Sequence, residues 1–325
     1  MNVLVTGATG FIGRHLVGPL SKTCSLRCLV RKSSDITPLK DLNVEIVYGD
    51  LLVKDSLGPA LDGIDLVYHL AGEVYSRRKS DYYKGNVLAT QNLLKACEVK
   101  ETKRIIFLSS TAVYRLPTAR TLLTEESECK PISIYGKTKL DAEELIKNSN
   151  IPWVIIRSTV VYGPHQPSVV NRFFIQALVA KKIYVIGDGN NLRSLCFIQN
   201  LIDGLLLLAD QQDISQETFI FSDNSPFTLN EIIVAASSVT EQKIKIIHLP
   251  DILGDMSGTI YNLLGRLFKL YLIELYSIKL MQKNTGYDIT KAKTEIGYNP
   301  RVVLVEGIRS TAEWIKNNLS PERLT

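Results

Sequence analysis

Thr6-Gly7-Ala8-Thr9-Gly10-Phe11-Ile12-Gly13 decides the reading of this chain. The octet follows the apolar run Val3–Thr6 and opens a stretch in which Ile12, Leu16 and Leu20 recur at helical spacing, so it reads as a strand–turn–helix junction. Gly7 permits a tight turn, Gly10 lets backbone approach a pyrophosphate, and Gly13 lets the helix pack close to the strand. The helix start then turns free N–H groups and the positive end of its dipole towards the same phosphates. The spacing is G-x-x-G-x-x-G rather than G-x-G-x-x-G, and its place directly after a strand supplies the specificity that glycines alone lack.

Working outward, short runs rich in Val, Ile and Leu alternate with amphipathic stretches. Candidate strands are Val3–Thr6, Leu26–Val30, Val44–Tyr48, Leu66–Leu70, Ile105–Ser109 and Val154–Arg157, and Leu93, Leu94 and Cys97 share one face of a helix over Thr90–Cys97. Such alternation predicts an α/β fold, a Rossmann-type doubly wound parallel sheet. After Gly163 turn clusters appear, as in Gly187-Asp188-Gly189-Asn190-Asn191, so a smaller mixed C-terminal substrate-binding region is expected. The expected division is 1–163 for dinucleotide binding and 164–325 mainly for substrate, with late segments returning to the main sheet.

The 325 residues are 45% hydrophobic and 22% charged, ordinary values that exclude disorder and a small disulfide scaffold. A net charge of +5 spread over this length argues against a nucleic-acid binder and suits an anionic small molecule. Five cysteines with no CxxC pair, and four scattered histidines, predict neither disulfides nor a metal site. No charged leader or apolar signal core precedes Asn2–Thr6 and no uncharged apolar run reaches membrane-spanning length, so a cytoplasmic location is expected.

Two further constellations carry chemistry. Strand two ends in Val30-Arg31-Lys32-Ser33 with no acid at its tip, and a cation there suits a 2′-phosphate, favouring NADP(H) over NAD(H). Asp50, after strand three, is placed to accept from an adenine amino group. In Tyr135-Gly136-Lys137-Thr138-Lys139, Tyr135 and Lys139 share a helix face. A neighbouring ammonium lowers a phenol's pKa, which suits Tyr135 to general acid/base work at a carbinol or carbonyl. Upstream, Ser109-Ser110-Thr111 closes strand five with hydroxyls able to hold a substrate oxygen.

These segments, with His69-Leu70-Ala71-Gly72, Asn86, the run Arg157 to Pro164, Arg193-Ser194 and Tyr287 to Pro300, resemble the extended short-chain dehydrogenase/reductase family over nearly the whole chain. The closer resemblance is to its NAD(P)-dependent nucleotide-sugar epimerase/dehydratase/reductase branch. It implies Tyr135 as acid/base, Lys139 as its pKa partner and nicotinamide-ribose ligand, and Ser110 as donor to the substrate oxygen. Implied cofactor contacts are Gly7, Thr9, Gly10, Phe11, Ile12, Gly13, Arg31, Asp50, Leu51, Leu70, Ala71, Gly72, Asn86 and Ser109, together with Tyr135 and Lys139. Implied substrate contacts are Thr111, Asn171 and Arg193, the last aligned with a family arginine on the sugar-nucleotide diphosphate, and a homodimer is implied too.

Where dehydratase members carry an adjacent Asp-Glu pair this chain has Thr111 and Ala112, which disfavours 4,6-dehydration. The reading is hydride transfer at C4 of a nucleotide sugar, probed against two alternatives: a ketoreductase of a sterol- or flavonoid-like molecule, and a non-catalytic dinucleotide-binding regulator. Arg193 argues against the first and the intact Ser110, Tyr135 and Lys139 against the second. Ile260 to Met281 is strongly apolar with Arg266, Lys269, Glu274 and Lys279 interspersed. It is expected to cover a pocket or a subunit contact, with weak peripheral membrane association as the alternative.

Overall fold

Strands that helices cover on both faces must be apolar on both pleats, and the six Val/Ile/Leu runs meet that requirement. In the computed structural model, which describes residues 1–117, 119–166, 182–240, 243–268, 280 and 282–318, they form β1 (Asn2–Thr6), β2 (Ser25–Val30), β3 (Glu45–Tyr48), β4 (Leu66–His69), β5 (Arg104–Ser110) and β6 (Trp153–Ser158). Helix α1 (Phe11–Leu20) follows β1. Helix α2 (Ala89–Val99) precedes β5 and is itself led in by a π-helical turn at Tyr83–Leu88. Helix α3 (Ile134–Lys147) lies between β5 and β6, its first turn capped by the Ser133 hydroxyl, which accepts from the Gly136 N–H at 3.0 Å.

Successive residues of β1 feed opposite cores. Val3 and Val5 pack in the layer of Leu16 and Leu20 of α1, while Leu4 joins Leu93 and Cys97 of α2. All six strands pair in parallel. A seventh, Glu217–Phe221, pairs with β6, giving the sheet order Glu217–Phe221, β6, β5, β4, β1, β2, β3. The main sheet therefore takes one strand from beyond residue 163. A helix over Ile198–Asp210 packs there too: the Tyr68 hydroxyl of β4 donates to Leu205 O at 2.7 Å. Among the described residues, the rest of the second half adds strands of three two-stranded ribbons, one of them antiparallel and one sharing Val160–Tyr162, and helices over Leu229–Thr240, Ile252–Phe268, Thr290–Ile296 and Leu304–Asn318.

Strand order reverses between β1 and β4, and the crevice outside their C-terminal ends is where open α/β sheets bind ligands. The turn after β1 and the turn after β4 touch there: a Cβ built on Gly7 would lie 2.7 Å from Ala71 N.

Candidate active site

Gly7 has φ +75°, a conformation that favours glycine. The Gly10 N–H donates to Gly7 O at 3.0 Å and closes the turn. Gly13 packs so tightly over it that an added Cβ would sit 2.1 Å from Gly7 O. Helix α1 then begins with no side chain capping its first N–H groups. Thr9, Phe11 and Ile12 lie on this turn and helix start.

A buried relay holds the turn to its neighbours. The Thr6 hydroxyl lies 2.8 Å from His69 Nδ1, and His69 Nε2 lies 2.9 Å from the Thr90 hydroxyl, which donates to Asn86 O at 2.6 Å. Burial drives the His69 pKa down to about 3, so this ring is neutral and serves as structure. Asn86 in turn accepts from Glu73 N at 2.8 Å and donates to Thr138 of α3 at 3.0 Å. Leu70, Ala71 and Gly72 therefore run between the glycine turn and α3. A Cβ on Gly72 would approach Asn86 Oδ1 to 2.9 Å and Lys139 Nζ to 3.9 Å. Two glycine positions that cannot carry a side chain, an uncapped helix start and a lysine at the far end fit an extended dinucleotide.

At the rim, Arg31 is exposed just past β2. Asp50 accepts from Leu52 N at 2.9 Å, which fixes the loop carrying Leu51.

β5 delivers Ser110 and α3 delivers Tyr135; the Ser110 hydroxyl accepts from Ala112 N at 3.2 Å and lies near enough to the phenol to influence its ionisation. Lys139 is buried, donates to Leu108 O at 2.6 Å and sits 4.1 Å from the Phe107 ring centroid. The expected lowering of the Tyr135 pKa by Lys139 is not what these surroundings produce. Burial pushes Tyr135 up to about 12, Ser110 opposing it, while burial pulls Lys139 down to about 7. Desolvation by burial is the largest influence on both groups.

Beneath this pair lies a cluster the sequence reading did not identify. Ser109 donates to Glu143 Oε1 at 2.5 Å, and Arg157 of β6 grips Glu143 at 2.7 Å and reaches the Tyr114 hydroxyl at 2.8 Å. Glu143 stands four residues after Lys139 on α3 and raises the pKa of that lysine; that spacing was the available signal. Tyr82 is a second omission, its ring 6.4 Å from that of Tyr135.

Of the expected substrate residues, Thr111 is buried beside Ser110, and its carbonyl accepts from the Tyr287 hydroxyl at 3.4 Å. Arg193 lies close enough to Tyr287 to feel its charge. The guanidinium donates to Leu280 O at 2.7 Å and to the Thr285 hydroxyl at 3.3 Å, and no carboxylate among the described residues pairs with it. Burial lowers its pKa to about 10. Asn171 lies outside the described residues. No group of three or more His, Cys, Asp or Glu among the described residues could hold a metal ion.

This fold and cradle define an NAD-dependent enzyme of the extended short-chain dehydrogenase/reductase type. The chain belongs to the NAD dependent epimerase/dehydratase family, whose model matches residues 3–220. It is similar to the N-acetyl-alpha-D-glucosaminyl-diphospho-ditrans,octacis-undecaprenol 4-epimerase of Escherichia coli, at 28% identity over 96% of this chain and 95% of that one. A sterol-4-alpha-carboxylate 3-dehydrogenase (decarboxylating) of Candida albicans is 26% identical over 98% of both chains. Among solved structures, the UDP-glucuronic acid 4-epimerase of Bacillus cereus in complex with NAD superposes with a TM-score of 0.80 at 27% identity, covering 98% of this chain and 100% of that one.

Proposed function

We propose that this enzyme transfers hydride at C4 of a nucleotide sugar, with a UDP-sugar as substrate, acting as a 4-epimerase or 4-ketoreductase. The observation that carries the substrate class is Arg193. A part-buried guanidinium that among the described residues is held by neutral acceptors and by no carboxylate suits an anion, and a diphosphate supplies one in bidentate geometry. Two relatives named above are 4-epimerases, one of a UDP-sugar and one of a diphospho-linked sugar.

In this reading Ser110 and Tyr135 hold the C4 oxygen between their hydroxyls, and Tyr135 moves its proton. Lys139 and Asn86 flank Gly72, between the glycine turn and α3. NAD, when bound, accepts and returns the hydride. Lys139 would hold the ribose end of that cofactor, and an ammonium there would lower the phenol pKa from its high resting value. Thr111 and Ala112 offer no acid for expelling a hydroxyl, so dehydration is disfavoured.

The cofactor reading is NAD(H). The expected preference for NADP(H) rests on the charge of Arg31 alone and gains no support, while the solved relative holds NAD. A ketoreductase of a sterol-like molecule is the second reading, favoured by the Candida relative.

Calorimetry with UDP tests the proposal. Losing a charged hydrogen bond costs roughly 1.5–3 kcal/mol, so Arg193→Ala should weaken UDP binding roughly 10- to 150-fold while NAD binding barely changes. Failure of the wild type to bind UDP, or equal binding by the variant, would overturn the sugar-nucleotide reading and leave the sterol-like ketone as the better substrate.

A further inference from the structure

The helix over Ile252–Phe268 is inverted relative to an ordinary surface helix. Its buried positions are Gly254, Ser257 and Tyr261, whereas Ile252, Met256, Ile260, Leu263 and Leu267 are between 43% and 61% exposed. Their spacings of four, four, three and four place all five within an arc of roughly 80° at about 100° per residue. Leu253 borders that arc, and Phe268 at the helix end is 70% exposed. Polar Asp255, Thr259, Asn262 and Arg266 flank it on one side, also exposed. Leucine and isoleucine outward with glycine and serine inward reverses the order that burial of apolar surface dictates.

The inward face carries Tyr261. Tyr261 lies near enough to Tyr82 to influence its ionisation, and the Tyr82 ring is 6.4 Å from that of Tyr135. The helix base is fixed by Gln282, which donates to Asp251 O at 2.6 Å and packs against Gly254. One side of the helix therefore turns Tyr261 inward, within electrostatic reach of Tyr82, and the other presents an apolar strip.

We propose that this strip docks on an anionic lipid bilayer, lying in its interface. The dimensions favour a bilayer over a second copy of the chain. A 17-residue helix is about 25 Å long, and a strip about 10 Å wide offers roughly 250 Å², well short of the roughly 800 Å² per partner of a stable protein interface. A bilayer needs no such complementary area, because an apolar helix face enters the headgroup boundary by about 5–10 Å. The charge distribution agrees. Asp251 and Asp255 stand at the N-terminal end and exposed Arg266 at the C-terminal end, beside Leu267 and Phe268. A basic residue beside a Leu-Phe end matches anionic headgroups. No helix among the described residues is long and apolar enough to cross a membrane, so the association is peripheral.

Flotation of the full chain with vesicles tests this, using phosphatidylcholine alone and phosphatidylcholine with phosphatidylglycerol at three to one. The wild type should float with the mixed vesicles and bind pure phosphatidylcholine more weakly. Leu263→Glu with Leu267→Glu should weaken binding at least about tenfold and leave the melting temperature and UDP affinity unchanged, since both side chains already face water. Arg266→Glu, a separate and milder variant, should lose the preference for phosphatidylglycerol. Absence of wild-type binding to either vesicle, or undiminished binding by the double variant, overturns the proposal. So does a wild-type dimer that ignores vesicles and dissociates in the double variant, which would assign the strip to a second copy.

Discussion

Tyr135 and Lys139 were legible as a pair from their spacing, but not their resting ionisation. Four residues on a helix fix a shared face; the charge state depends on Phe107, Leu108 and Ser110, which arrive from another strand. Tyr135→Phe should keep NAD affinity and lower turnover by at least about a hundredfold, the scale of a positioned acid/base. Near-normal steady-state turnover in that variant would end the mechanism. Lys139 makes a second prediction. Its folded pKa of about 7 lies below the ordinary 10.5, so between those values the unfolded chain binds a proton the folded chain lacks. The contribution to stability is therefore lowest below pH 7 and rises with pH towards about 10. Thermal unfolding of cofactor-free protein across that range should show this rise, and Lys139→Met should flatten it. An unchanged slope in the variant would contradict the burial of a strained ammonium.

Among elements, the strand–turn–helix of β1 and α1 was the most readable, because glycine spacing reports backbone approach directly. Gly13→Ala would drive a methyl into Gly7 O, so NAD binding, followed by calorimetry, should fall by at least about tenfold. Binding at wild-type strength would mean that the turn relaxes freely. The bond between β5, α3 and β6 was not readable: Ser109, Glu143 and Arg157 are far apart in sequence and meet only once the strands are in register. Glu143 and Arg157 are both nearly fully buried. Removing one partner leaves an uncompensated charge, so Glu143→Ala should cost about 3–5 kcal/mol in urea unfolding. A loss below about 1 kcal/mol, the level of an exposed pair, would show that the cluster does not bind β5 to α3.

At the scale of the whole molecule, the first half followed from its strand runs, each placed to within about a residue, because burial on both faces leaves a continuous apolar signature. The second half did not. Its short ribbons have too few residues to show a period, and Glu217–Phe221 reaches the main sheet only through its pairing with β6. The Ile260–Met281 stretch was expected to cover a pocket or a subunit contact, with peripheral membrane association as the alternative, and 269–279 and 281 lie outside the described residues. Hydrophobicity alone does not say which side of a helix turns inward, and over Ile252–Phe268 small residues take the inner side. Arg193 was expected as a second-half substrate contact; Leu280 and Thr285, which hold it, were not foreseen. The account meets in one claim, that hydride moves at C4 of a sugar carried on a diphosphate. Proton NMR of UDP-glucuronic acid and UDP-N-acetylglucosamine, each incubated with the enzyme and NAD, tests it directly. The account predicts that at least one sugar gives its C4 epimer, or the C4 ketone with matching NADH, and that Tyr135→Phe abolishes the change. Unaltered spectra with both sugars, alongside turnover of a non-sugar ketone, would contradict it.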